Sequence, residues 1–165
     1  MVVYLSLVLF CLTACLTEER AYSPHFQQVM RDTSGVFNGY SLGEPLALVY
    51  EQSNDNPDYD DPWGLMFRRQ LRAGGVFETA FYVAPNDTLK RLKAIVVNLE
   101  LKDEQAAKAL FEELAGFYND KFSTANGSYG DLAWRLGEQK VLLELRLKAL
   151  GNALTLNVSE LPEKQ

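Results

Sequence analysis

Cysteine and histidine are scarce in this sequence of 165 residues. Its two cysteines, Cys11 and Cys15, both fall within the first fifteen residues, and His25 is its single histidine. The rest of the chain can form no disulfide, no thiolate zinc site and no cysteine nucleophile. His25 lies in a segment that we predict to be a linker, which argues against a Ser-His-Asp triad. We therefore predict no catalytic residues, no metal site and no cofactor, and expect that the protein is not an enzyme.

Basic residues are outnumbered by acidic ones. The chain has 16 Lys and Arg against 22 Asp and Glu, which gives a net charge of −6. Such a surface repels phosphates, so nucleic acid is not an expected partner. Hydrophobic residues make up 47% and charged residues 23%, the ordinary mixture of a single globular domain. A chain of this length buries roughly two thirds of its unfolded surface, so it needs no metal or disulfide to hold a core.

The amino terminus contains an apolar run, Val2–Leu12, that only Ser6 interrupts. The run is too short for a membrane-spanning helix, which needs ~20 residues. Its length is typical of the core of a secretory signal peptide. The run ends in the sequence LTAC at residues 12–15. This ending resembles the lipobox of bacterial lipoproteins, in which a branched apolar residue and two small residues precede a cysteine.

The lipobox resemblance implies that the thiol of Cys15 accepts a diacylglyceryl group and anchors the chain to a membrane. Residues 1–14 would be a lipoprotein signal peptide, residues 15–35 the lipid anchor and a polar tether with one helical turn near residues 27–30, and residues 36–165 a single domain. Position 16 is Leu16 rather than Asp, which under the enterobacterial sorting rule implies the outer membrane, facing the periplasm. An ordinary secretory signal, with Cys15 incidental, is the alternative.

Helical periodicity is clearest after Asp103, which we predict to cap a helix from residue 104 to about 122. An apolar stripe follows one face of this helix, and acidic residues such as Glu113 lie on the side that faces water. A shorter helix is predicted over residues 46–50, with Pro45 at its start. Alternation of apolar and polar residues predicts six strands, over residues 64–71, 76–83, 92–101, 132–136, 141–149 and 154–159.

These elements predict an α+β fold with two layers, an antiparallel sheet of about six strands with one long and one short helix on it. Two pairs of segments read alike, residues 61–70 beside 130–139 and residues 92–101 beside 152–161. They indicate a duplicated α-β-β-β unit. The layout distantly resembles small envelope lipoproteins and periplasmic inhibitors built from helix-plus-sheet repeats. That resemblance is architectural, so it transfers no residue and no activity.

Carboxylates concentrate in the loop after the short helix. Their density could hold calcium, but Pro57 breaks the EF-hand spacing, so a solvated loop is the preferred interpretation. Four further carboxylates lie near or on predicted strands, where two could meet as an acid–base pair. Their alternation on a solvated sheet face explains them without chemistry. The loop residues are Asp55, Asp58, Asp60 and Asp61, and the strand residues are Glu44, Glu78, Glu100 and Glu144.

Two basic clusters and a set of loop aromatics offer interaction surfaces. The clusters could dock an acidic partner or anionic headgroups, but we favour edge charges that prevent sheet-to-sheet aggregation. Aromatic residues in predicted loops could form a pocket for a partner. The basic residues are Arg68, Arg69 and Arg72 with Lys90, Arg91 and Lys93, and the loop aromatics are Tyr40, Tyr59 and Trp63.

We therefore predict a lipid-anchored envelope protein that acts as a non-enzymatic binding or accessory module. It would attach to the membrane through lipid on Cys15 and contact a protein partner through the open sheet face or the aromatic loops. The alternative is a periplasmic immunity or inhibitor protein that neutralises a toxin or a hydrolase. A third interpretation is an envelope hydrolase, which a pair of acids at the floor of a deep pocket would favour.

Overall fold

One antiparallel sheet and three helices form the described part of the chain. The computed structural model describes residues 21–137, 140–149 and 151–161. The helices are α1 (Pro24–Val29), α2 (Leu46–Gln52) and α3 (Glu104–Phe122). The strands are β1 (Tyr59–Asp61), β2 (Gly64–Gln70), β3 (Gly75–Val83), β4 (Leu92–Leu101), β5 (Asn126–Ser128), β6 (Asp131–Leu136), β7 (Val141–Leu147) and β8 (Ala153–Glu160).

The order of the strands divides the sheet into two equivalent halves. It runs β1-β2-β3-β4-β8-β7-β6-β5, with every pair antiparallel. Strands β4 and β8 meet in the centre, where Val97 lies opposite Leu156. Each half is a helix followed by four strands in meander order. The predicted α+β class and antiparallel sheet are therefore confirmed.

The core lies on one face of the sheet, under the helices. The inward-facing residues of β4 from Ile95 to Leu101 and of β7 from Val141 to Leu145 are buried, as their alternation predicts, whereas Leu147, also expected to face inward, is half-buried. Helix α3 rests on β4, β6, β7 and β8, and its predicted apolar stripe is buried from Ala107 to Phe117. The other sheet face carries the intervening, partly exposed residues.

The bounds of α3 agree with the prediction. The Asp103 carboxylate accepts a hydrogen bond from the backbone N–H of Ala106 at 2.8 Å, which satisfies one of the free donors of the first turn.

One polar residue of this helix departs from its predicted exposure. Glu113 is half-buried, and its carboxylate accepts hydrogen bonds from the backbone N–H and the hydroxyl of Ser23 at 2.7 and 2.5 Å.

The sheet has eight strands where about six were predicted. The additional strands, β1 and β5, are three-residue edge strands in segments that were predicted as loops or turns. A strand of three residues is too short to show a recognisable alternation of apolar and polar side chains. At Gly127 in β5 a Cβ atom would lie 2.1 Å from the carbonyl oxygen of Asp131, so the close approach of the two strands requires glycine there.

The segment predicted as a tether contributes to the core. Helix α1 lies within residues 15–35, and its side chains Phe26 and Val29 are 1% and 0% exposed. The Phe26 ring lies 5.6 Å from the ring of Phe117 on α3. The helical turn expected near residues 27–30 overlaps α1, but the polar composition of the segment concealed the apolar side chains that pack it against α3. The folded domain therefore begins before residue 36.

The two predicted repeat alignments differ in quality. Placing residues 61–70 beside 130–139 matches Leu65 and Phe67, which are buried, with Trp134 and Leu136, which are also buried. Placing residues 92–101 beside 152–161 matches buried residues of β4 with half-buried residues of β8. A shift of one residue turns a strand's side chains to the opposite face. The second alignment is therefore out of phase with the sheet.

Candidate functional site

A cavity of about 400 Å³ opens between the first half of the sheet and the segment that precedes it. Strands β2 and β3 form its floor, the loop after α1 forms one wall, and the end of α2 forms another. Four phenylalanines line it, and we call it the phenylalanine cavity. They are Phe37, Phe67, Phe77 and Phe81.

The cavity follows from the unequal lengths of the two main helices. Helix α3 has 19 residues and covers the second half of the sheet, whereas α2 has 7 residues and covers less of the first half. Period-two alternation directs Phe77 and Phe81 of β3 toward the helices. Since the short helix does not reach all of them, the loop that carries Phe37 closes the remaining space only in part.

Two buried residues that carry hydroxyl groups, Thr79 and Tyr40, line this cavity. Thr79 is 5% exposed and is the one buried polar or charged residue in the described part of the chain. Tyr40 is 7% exposed, with its ring 5.0 Å from that of Phe81 in an edge-to-face arrangement. Neither side-chain hydroxyl forms a hydrogen bond within the described residues. Both hydroxyls can therefore form a hydrogen bond with water or with a ligand that enters the cavity.

A turn after α1 forms the mouth of the cavity. Asn38 has a left-handed φ of 49°. Its side-chain oxygen accepts hydrogen bonds from the backbone N–H groups of Arg31 and Asp32 at 3.0 and 3.1 Å. Asp32 accepts a further bond from the backbone N–H of Ser34 at 2.7 Å. These bonds hold Arg31 and Asp32 at the edge of the cavity.

A second concavity of about 720 Å³ adjoins the mouth. It is lined by Arg31, Arg69 and Arg72, and we call it the arginine groove. Arg31, Arg69 and Phe77 line both the groove and the phenylalanine cavity, so the two spaces meet at these residues. Three arginines thus line one groove on a chain whose net charge is −6.

Arg69 connects the groove with the acidic loop. Its Nε donates to Asp55 Oδ2 at 2.7 Å, and its guanidinium carbon lies 5.9 Å from the centre of the Phe67 ring. An arginine has five N–H donors, so one bond to Asp55 leaves others free for an anion. The neighbouring Arg68 points to the opposite sheet face, where its Nε lies 3.4 Å from Glu78 Oε1.

Two titratable groups of the cavity, Tyr40 and Asp32, have shifted pKa values. Burial raises the pKa of the Tyr40 hydroxyl, partly opposed by the charge of Arg69. Hydrogen bonds from Ser34 lower the pKa of Asp32, with a smaller contribution from the charge of Lys121. Acid–base catalysis needs a group that titrates near the working pH. The pKa of Tyr40 is raised and that of Asp32 is lowered, so both move further from neutral pH.

The predicted acidic loop uses its carboxylates within the fold. Asp58 accepts a hydrogen bond from the backbone N–H of Arg68 at 2.6 Å. Asp61 accepts hydrogen bonds from the backbone N–H groups of Trp63 and Gly64 at 2.7 and 3.0 Å. Among the described residues no three His, Cys, Asp or Glu side chains are grouped closely enough to hold a metal ion.

The four predicted strand carboxylates do not gather in one place. Glu44 accepts a hydrogen bond from the backbone N–H of Ser41 at 2.9 Å. Glu78 faces Arg68, and Glu144 lies 2.6 Å from a guanidinium nitrogen of Arg146. Glu100 is exposed at the end of β4. None of these four residues lines the phenylalanine cavity.

The predicted loop aromatics separate into two groups. Tyr40 belongs to the phenylalanine cavity, whereas Tyr59 and Trp63 are 56% and 48% exposed. Tyr82, 47% exposed, lies opposite Gly64 on the neighbouring strand. We call Tyr59, Trp63 and Tyr82 the aromatic patch; it borders the sheet face that the helices leave open.

The second predicted basic cluster is dispersed. Arg91 pairs with Asp87 at 2.9 Å, and Lys93 pairs with Glu160 at 2.8 Å. Lys90 lies 5.8 Å from the centre of the Trp63 ring. The first cluster is divided between the two faces, so that only Arg69 and Arg72 reach the arginine groove.

The predicted lipidation site, Cys15, lies outside the described residues. No helix in the described part of the chain is long and apolar enough to cross a membrane.

Comparisons with known proteins identify no similar family, curated protein or solved structure.

Sequence reasoning singled out Tyr40 and Arg69 but missed the other residues that make the cavity. Thr79 was the available signal, because it is a polar residue at a buried position of β3, between Phe77 and Phe81. Phe37 and Arg31 gave no such signal, since they come from irregular segments whose position depends on the whole fold.

Proposed function

We propose that this chain is a lipid-anchored envelope protein whose domain is a non-enzymatic binding module, and that the phenylalanine cavity is its ligand site. The single observation that carries the proposal is a cavity lined by four phenylalanines and by the buried residue Thr79, whose hydroxyl has no partner among the described residues. The volume of about 400 Å³ lies in the range of small-molecule sites, roughly 300–1,000 Å³. The lipobox-like residues 12–15 support the anchor, and Leu16 supports the outer membrane.

The properties of the site favour binding over catalysis. Four of its fourteen lining residues are phenylalanines, and its polar groups are hydroxyls, amides, two guanidinium groups and the carboxylate of Asp32. The pKa of Asp32 is lowered and that of Tyr40 is raised, so neither is suited to proton transfer near neutral pH. Apolar side chains combined with polar groups that can orient a molecule are typical of a site that recognises a ligand.

The neutral fluorescent probe N-phenyl-1-naphthylamine tests the ligand site. We expect the full chain carrying Cys15→Ser, which has no lipid attached, to bind the probe with enhanced fluorescence. Thr79→Met places a larger side chain in the cavity and should abolish the saturable part of the signal. Thr155→Met is the matched control, because Thr155 is a half-buried threonine on the open face.

Probe bound elsewhere, such as on the apolar run Val2–Leu12, contributes equally to both variants. Circular dichroism melts show whether each variant is folded. If Thr79→Met is folded and binds the probe as well as Thr155→Met does, the cavity is not the ligand site.

A second candidate function is docking to a protein, as an immunity or inhibitor protein would do. The aromatic patch favours it, because large exposed aromatic side chains supply much of the binding energy at protein interfaces. Trp63→Ala and Tyr59→Ala should then release a partner that cross-linking captures from the envelope, while Leu89→Ala, an exposed residue outside the patch, should retain it.

We also propose that the halves of the sheet arose from a duplicated unit. The shared order of a helix and four strands supports the duplication, and so does the burial match of Leu65 and Phe67 with Trp134 and Leu136.

A further inference from the structure

The geometry points to an anionic amphiphile as the ligand, a molecule with an apolar body in the phenylalanine cavity and one acidic group in the arginine groove. This inference rests on the proposed ligand site and goes further by naming the chemical class. Arg31 and Arg69 line both spaces, so an acidic group at the junction would lie beside two cations while the rest of the molecule enters the cavity.

The charge at the junction favours an anion. Arg31, Arg69 and Arg72 line the two spaces, against Asp32 as the acidic residue among the lining groups. Asp55, which pairs with Arg69, adds one more negative charge. Three cations and two carboxylates leave one positive charge. The carboxylate of Asp32 is further occupied by Ser34 and faces Lys121.

The free donors at the junction suit an oxyanion. Arg69 uses its Nε for Asp55, which leaves the terminal nitrogens of its guanidinium. Within the described residues the side chains of Arg31 and Arg72 form no ion pair. A guanidinium binds carboxylate, phosphate or sulfonate through parallel N–H donors.

The interior suits an apolar body with one polar atom. Four phenylalanine side chains line the cavity, and the Thr79 hydroxyl supplies a hydrogen-bonding group beside them. A ligand without an apolar body would leave the phenylalanine surface in contact with water. A ligand without an acidic group would form no ion pair with the arginines.

A matched pair of dyes separates the two features. 1-Anilinonaphthalene-8-sulfonate has the same aromatic skeleton as N-phenyl-1-naphthylamine and adds one sulfonate, which stands for the acidic group. On the full chain carrying Cys15→Ser we expect the anionic dye to bind at least about tenfold more tightly than the neutral one.

Arginine variants locate the acidic group. Arg69→Gln and Arg31→Gln should weaken binding of the anionic dye by about tenfold and about threefold, and should change that of the neutral dye by less than about twofold. Arg68→Gln is the matched control, because Arg68 is adjacent in sequence but lies on the opposite face. It should leave both dyes unaffected.

The source of the natural acid is tested by displacement of the anionic dye. Displacement by dodecanoate assigns a free acid, and displacement by dihexanoylphosphatidic acid assigns a lipid headgroup. Displacement by neither overturns the inference.

The outcomes of the dye experiment distinguish the two proposals. If the neutral dye depends on Thr79 while the anionic dye gains nothing from Arg31 and Arg69, the inferred ligand class is wrong and the ligand site stands. If neither dye depends on Thr79, the proposed ligand site fails, and the inference fails with it.

Discussion

The contact between Ser23 and Glu113 gives a quantitative test of how the amino-terminal segment is held. The Glu113 carboxylate accepts the backbone N–H and the hydroxyl of Ser23 at 2.7 and 2.5 Å. The Ser23 hydroxyl also accepts from the backbone N–H of Phe26 at 3.2 Å, which caps α1. Hydrogen bonds to a charged group contribute about 1.5–3 kcal/mol. We expect Glu113→Ala to lower the free energy of unfolding by about 2 kcal/mol.

A double-mutant cycle isolates this contact. Ser23→Ala removes the hydroxyl bond and the cap and should cost about 2 kcal/mol, and the coupling energy with Glu113→Ala should be about 1 kcal/mol. Glu112→Ala, on the exposed neighbour, is the control and should change stability by no more than about 0.5 kcal/mol. Urea melts of the full chain provide all four values. Equal effects at Glu112 and Glu113, with no coupling to Ser23, would refute the reasoning.

Three further predictions concern the core, the domain boundary and the anchor. Leu114 is 0% exposed under α3, so Leu114→Ala should cost roughly 2–5 kcal/mol in the same melts; a loss as small as that of Glu112→Ala would mean that the helix is misplaced. A shortened chain that begins at residue 21 should melt cooperatively, whereas one that begins at residue 36 lacks α1 and should melt at a clearly lower temperature; equal melting temperatures would show that α1 is dispensable. Cys15→Ser should abolish labelling with radioactive palmitate, and labelling that persists would remove the lipoprotein assignment.

The long helix and strands of this fold could be predicted because their apolar residues repeat with a regular spacing over several helical turns or several strand positions. Helix α3 has a cap at Asp103 and an apolar stripe that continues over successive turns, and both features are recognisable in the sequence. Strand β4 was predicted with its observed bounds for the same reason, since its ten residues carry a sustained alternation of burial. Such patterns depend on local geometry alone.

Irregular and short segments could not be predicted, because their positions depend on distant partners. Helix α1 has six residues and is held by α3, across about ninety positions of sequence at the Ser23–Glu113 contact. The phenylalanine cavity depends on the short length of α2 and on the course of the loop that carries Phe37. Sequence periodicity contains neither fact.

The central claim is that a small apolar ligand enters the phenylalanine cavity. Nuclear Overhauser contacts between N-phenyl-1-naphthylamine and the methyl groups of the full chain carrying Cys15→Ser test it most directly. Val49 and Thr79 line the cavity, whereas Val96 lies on the open sheet face. The proposal predicts contacts from the naphthyl protons to the Val49 and Thr79 methyl groups. Contacts confined to Val96, or a bound probe that reaches neither Val49 nor Thr79, would contradict it.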